Sequence, residues 1–108
     1  MERIIDFHTH NLNGSARRDA IASYSLTEIE DCPPGQYFTV GLHPWDTALF
    51  SATPQILEKK LRDALLSPYA IGVGEVGLDR LRGAELHCQE TLLGLQLEIA
   101  TELDLPVV

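Results

Sequence analysis

Cysteine is scarce in this chain: Cys32 and Cys88 stand far apart and lack the spacing of metal ligands, so a reducing cytoplasm is the expected setting. Positive charge is also in short supply. Eight basic residues face 16 acidic ones, a formal charge of −8, which excludes the broad positive field that drives non-specific nucleic-acid binding. Any phosphate must therefore be met locally, by metal ions for instance. No apolar run approaches the roughly 20 residues needed to cross a bilayer, and no basic amphipathic stretch suggests surface binding. The start MERIIDFHTH has neither the basic nor the apolar segment of a signal peptide, so no membrane partner is expected. Nucleophile signatures are missing too: there is no G-x-S-x-G, no phosphate-cradling glycine loop and no cysteine with a plausible base.

What remains is an ordinary globular composition, 44% hydrophobic over 108 residues, sufficient for a single domain. Residues 3–7 read as a short buried strand, since Ile4, Ile5 and Phe7 favour extended backbone. Residues 20–26 are weakly strand-like, with serines interleaved among Ile21, Ala22 and Tyr24. Cys32-Pro33-Pro34-Gly35 marks a turn, and residues 37–42 form a clearer apolar strand. Thr53 before Pro54 announces a helix as a capping residue followed by proline at the first helical position. Its apolar face is expected to hold Ile56, Leu57, Leu61, Ala64 and Leu65, with Pro68 beyond its end.

Residues 70–76 make a further apolar run, and residues 84–103 a long helix. On that helix Leu86, Leu93, Leu97 and Ala100 form an expected stripe, widened by Leu92, Leu95, Ile99 and Leu103. Leu105-Pro106-Val107-Val108 begins one more strand. Strands alternating with helices imply an α/β fold with a parallel sheet and helical crossovers.

Residues able to carry chemistry gather at the strand exits. His8 and His10, two apart on a strand, would share a face about 6.6 Å apart and could grip one cation; imidazole suits zinc and other first-row metals. The same pair could also be a chance doublet of polar residues. Asp6 could orient one of them. Glu75 ends an apolar, glycine-rich strand, where a charge is costly unless paired, either with a cation or with Arg80 or Arg82. His43 precedes Pro44, which holds it extended, so its ring could reach substrate or be a hydrogen-bonded loop histidine. Asp79 is a candidate substrate contact or a loop cap. Trp45 fits local packing or a base-stacking platform, His87 reads as exposed, and Gln89 and Glu90 as helix surface or interlayer contacts. In a parallel barrel these exits share one working face.

Asp6-Phe7-His8-Thr9-His10, Gly41-Leu42-His43-Pro44, Gly74-Glu75-Val76-Gly77-Leu78-Asp79, Gln89 and the stretch from Gln96 to Val108 together resemble the TatD family of metal-dependent deoxyribonucleases. The resemblance runs nearly end to end. It implies a (β/α)8 TIM barrel, of which this single domain, 1–108, is roughly the N-terminal half, stopping at the start of the fifth strand. It further implies two divalent metal ions (Mg, Mn or Zn), with His8 and His10 holding one and Glu75 bridging to the second. His43 and Glu75 are then the catalytic candidates, with His43 and Asp79 facing the substrate, DNA or another phosphodiester. The family's remaining ligands, two histidines and an aspartate, are expected beyond Val108, and the 108 residues alone are expected to be inactive. Arg80-Leu81-Arg82-Gly83 stands where the family usually has a tyrosine-bearing loop. Two other readings compete. One is an amidohydrolase-type hydrolase of an amide, lactone or small phosphoester; the other is a non-catalytic fragment that self-associates through its exposed sheet edges.

Overall fold

A computed structural model describes residues 20–108, together with the backbone of residues 6–9. Four parallel strands, β1 (Asp6–Thr9), β2 (Ala20–Ser25), β3 (Phe38–Gly41) and β4 (Ala70–Val73), form one sheet in the order β1-β2-β3-β4. Helix α1 (Pro54–Ala64) crosses from β3 to β4, and α2 (Leu86–Glu102) follows β4. Val107 then bridges to Val73 in parallel, so the chain returns beside β4 where one further strand was expected. Strand order that follows chain order, with parallel neighbours, requires every crossover to step in the same direction. The expected strand at 3–7 is met from Asp6 onward, and residues 3–5 lie outside the described residues.

The two helices pack on each other, α1 on β3 and α2 on β4, so both lie on one face of the sheet. That face is the core. Ala22, Tyr24, Phe38 and Val40 meet Leu57, Leu61 and Leu65 from α1 and Leu92, Ile99 and Ala100 from α2. The alternation of a strand sends the intervening residues to the other face, where Ser23 lies beside Thr39 and Ser25 beside Gly41. The serines that weakened the strand signal at 20–26 therefore occupy the side facing away from the helices. Thr39 buries its Oγ1 there without a hydrogen-bond partner.

Helix α1 starts at Pro54 as expected, but the Thr53 side chain makes no capping hydrogen bond. Proline's preset φ and its absent N–H, which the first turn does not need, suffice to begin it. Leu57 and Leu61 are fully buried while Ile56 is 47% exposed, because Ile56 sits about 100° around the helix from Leu57. Arg62 pairs with Glu102 and ties the end of α1 to that of α2.

Helix α2 departs further from expectation. Its buried stripe is Gln89, Leu92, Gln96, Ile99 and Ala100, whereas Leu97 and Leu103 are 40% and 42% exposed. Leucines occur all round this helix, so hydropathy only weakly sets its rotation. Two glutamines turned toward the sheet decide it, for reasons that lie at the strand exits. The helix ends with Asp104 in the left-handed region at φ 55°. Leu105 N–H donates to Ala100 O at 2.8 Å and Asp104 N–H to Thr101 O at 3.2 Å, the paired bonds of a Schellman close. This turn sends Pro106 and Val107 back to the sheet, where Val73 N–H donates to Pro106 O and Val108 N–H to Val73 O, both at 2.9 Å.

Replacing the buried Leu61 by Ala is expected to cost about 2–5 kcal/mol in denaturant titration. In the same assay Asp104→Gly should add about 1 kcal/mol, since only glycine adopts that φ without strain.

Candidate active site

Gly41 ends β3 and Leu42 follows; the Leu42 side chain turns into the core while its N–H donates to Gln96 Oε1 at 2.7 Å. His43 comes next with φ −62° and ψ 143°, the extended backbone expected before proline, and caps a short 3-10 turn, Pro44–Leu49. Its Nδ1 accepts from the Trp45 backbone N–H at 3.2 Å. The neutral ring therefore carries its proton on Nε2, and Nε2 lies 3.9 Å from Glu75 Oε2.

Glu75 stands two residues beyond β4. Gly41 permits its approach to His43: a Cβ there would sit 3.0 Å from Val76 Cγ1 and 3.1 Å from the Gly74 backbone. Gly74 N–H also donates to Val40 O at 3.1 Å, joining the chain beyond β4 to β3.

His43 and Glu75 share a hollow of about 340 Å3 with Ser23, Ser25, Glu28, Trp45 and Asp46. It opens at the carboxyl end of the sheet, beside the exits of β2, β3 and β4. Ser25 Oγ donates to Asp46 Oδ2 at 3.1 Å and Thr27 Oγ1 to Ser25 Oγ at 3.1 Å, which joins the β2 exit to the turn after His43. Among the described residues, three carboxylates and one imidazole line this space and no lysine or arginine does, so these groups favour a cation.

Beside the hollow, the loop after Glu75 is built around Asp79. Its Oδ2 accepts from the Trp45 indole Nε1–H at 2.6 Å, and its Oδ1 from the N–H groups of Leu81 at 2.8 Å and Arg82 at 3.3 Å. These bonds, the indole first, hold the Asp79 carboxyl below its ordinary pKa. Arg82 stacks its guanidinium 3.8 Å above the Trp45 ring, a cation–π contact in place of the ion pair with Glu75 that the sequence left open. Gln89 seats the whole loop from α2. It accepts from Asp79 N–H at 2.8 Å and donates to Asp79 O, Arg82 O and Ala84 O at 2.8, 3.0 and 2.7 Å. Thr47 Oγ1 adds a bond from Ala84 N–H at 3.0 Å.

The structure thus brings together His43 and Glu75 of the expected site residues, and sets Asp79 behind Trp45, outside the hollow's lining. His8 falls on β1 by its backbone, while its side chain and all of His10 lie outside the described residues. His87 is exposed, as read, and of the two readings left open for Gln89, helix surface or interlayer contact, the structure takes the second. Asp46, Ser25 and Gln96 were not singled out from the sequence. Ser25 ends a strand, as the residues near His43 and Glu75 do. Gln96 lies seven residues from Gln89, on the same helical face.

Among the described residues no group of three or more His, Cys, Asp or Glu side chains assembles as a metal site. The donors present suit one in kind. Carboxylate oxygens of Glu75 and Asp46 fit Mg2+ or Mn2+; further donors would have to come from elsewhere, and β1 carries His8 toward the same end of the sheet.

A parallel α/β sheet that gathers titratable side chains at the carboxyl ends of consecutive strands has the plan of an α/β enzyme. The chain belongs to the family of TatD-related DNases, which it matches over residues 5–108. That membership marks it as a hydrolase of nuclease type. No curated protein matches the chain. Among the described residues no helix is long and apolar enough to cross a membrane.

Acid should weaken the bond between Asp79 and the Trp45 indole. The Asp79 carboxylate's contribution is complete above its unfolded pKa and is lost as pH falls through its lower folded value. Trp45 is the only tryptophan, so its fluorescence should shift with a midpoint below the ordinary Asp range, and Asp79→Asn should abolish that transition. Gln96→Met, which strips the partner from Leu42 N–H, should lower stability by about 1–3 kcal/mol.

Proposed function

We propose that this protein is a metal-dependent hydrolase of phosphodiesters, with DNA as the substrate. The observation that carries the reading is the pairing of His43 and Glu75, 3.9 Å apart, in an acidic hollow where parallel strands end. Family membership over residues 5–108 supports the nuclease assignment. Strands in sequential order with both helices on one face support a (β/α)8 barrel, with residues 1–108 as one domain supplying its first strands. The free Cys32 and Cys88 favour a reducing compartment, the cytoplasm.

In this reading His8, His10 and Glu75 would hold two divalent ions, which when bound would supply an acidified water and positive charge for phosphoryl oxygens in place of the basic residues the chain is short of. The chain's own groups do the rest. Glu75 supplies a carboxylate at the β4 exit. His43 presents Nε2–H to the hollow as a hydrogen-bond donor for a phosphate oxygen, a role in which a fixed donor is worth more than a mobile one. Asp46 holds Ser25 and so fixes the opposite wall. Asp79, the other substrate contact expected from the sequence, engages Trp45, Leu81 and Arg82 and keeps one lone pair on Oδ2 for a further donor.

Assays of the complete protein that carries these residues, with Mg2+, Mn2+ or Zn2+, on DNA and on small esters test the proposal. DNA cleavage that needs the ion and falls about 100-fold in Glu75→Gln, some 2.7 kcal/mol of barrier, is the expected result. Turnover of the esters alone would reject the phosphodiesterase assignment.

A further inference from the structure

The hollow's walls leave unexplained why the loop at 79–84 is fastened so heavily without lining the space itself. Its bonds converge on one group. Gln89, 1% exposed, binds both the N–H and the C=O of Asp79. Asp79 in turn grips the Trp45 indole N–H, although that indole is 48% exposed and water could satisfy it. Trp45 meets His43 twice, through its backbone N–H on Nδ1 at 3.2 Å and through its ring, edge-on at 4.9 Å between centroids. The loop therefore ends, mechanically, on an imidazole.

We propose that Asp79, seated by Gln89, is a positioning residue for His43, acting through Trp45 to hold the imidazole as the Nε2–H tautomer with that proton facing the hollow. The physical reason is directional. An imidazole has two nearly equivalent neutral tautomers, and the partner of one nitrogen decides where the proton sits. A backbone N–H can make that decision only while its peptide stays in place. The 3-10 turn carrying Trp45 is short, so a carboxylate on the side chain adds an anchor that the turn lacks. Arg82 on the ring face leaves the indole less room to rotate. Asp79 consequently influences substrate chemistry without touching substrate. The catalytic consequence rests on the reading of His43 as a substrate contact given above, whereas the tautomer itself does not.

Long-range proton–nitrogen NMR of the 15N-histidine-labelled protein, at a pH where the ring is neutral, tests this without turnover. Wild type should show His43 with the proton on Nε2. Trp45→Phe, which keeps an aromatic ring and the backbone N–H but loses the indole donor, and Asp79→Ala should each give a tautomer mixture. Asp79→Asn, whose amide oxygen can still accept from the indole, should restore the single form. In the DNA assay the first two variants should lose kcat by about tenfold or more with little change in KM.

A proton on Nδ1 in wild type would overturn the proposal, as would a single Nε2–H form in both variants. A tautomer mixture with unchanged kcat would overturn the catalytic role. Should Asp79→Ala fail to fold, Trp45→Phe decides alone. Absence of DNA cleavage in every form would count against the functional reading while leaving the tautomer result to stand or fall separately.

Discussion

The buried amides of α2 govern the working end of this molecule. Parallel strands all finish at one edge, and there the ladder stops while peptide groups continue into loops packed beneath a helix. Each such N–H or C=O needs a partner or incurs the desolvation penalty of an unmade bond. Gln96 answers for Leu42 N–H at the β3 exit, and Gln89 answers for the loop after β4. Seven residues separate them, two turns on one helical face, so one rigid element holds two neighbouring exits at a set distance. His43 follows directly on the first of these anchors and Glu75 precedes the second.

That arrangement accounts for the division of the sheet into two chemically different faces. Toward the helices the strands present Ala22, Tyr24, Phe38 and Val40, an apolar surface that leucines of α1 and α2 cover. The opposite face carries Ser23, Ser25, Thr39 and Gly41, residues too small to fill space. A hollow consequently forms at the carboxyl end, lined by carboxylates and an imidazole. Burial energy is invested on one side, and room for chemistry is left on the other. Glycine at position 41 lets the two exits converge, because a side chain there would press on the Gly74 backbone.

The loop at 79–84 shows how a surface segment acquires rigidity. Asp79 uses both carboxylate oxygens, one to cap the turn at Leu81 and Arg82 and the other to hold an indole. Arg82 closes over the same indole. These are exposed interactions of modest individual strength, but they share a common anchor in Gln89, and networks with a buried anchor lose less order than isolated surface pairs.

Much of this was legible in the chain itself. Short apolar runs ending in His43 and Glu75, with helical patterns between them, specify parallel strands and place polar groups at one edge, because local periodicity and the reach of a crossover helix are properties of sequence. Pro54 starts α1 for the same local reason. The rotation of α2 was not legible, since leucines on several of its faces made the stripes nearly equivalent until Gln96 met the β3 exit and Gln89 the loop after β4. Nor was the engagement of Asp79 with Trp45. Those bonds join residues 54 and 34 positions apart, and no pattern within a helix or strand encodes them. Periodicity determined which elements form and where their ends carry charge. Only three-dimensional packing decided which polar side chains turn inward, because each does so to satisfy a backbone or indole group that comes into reach after the elements have met.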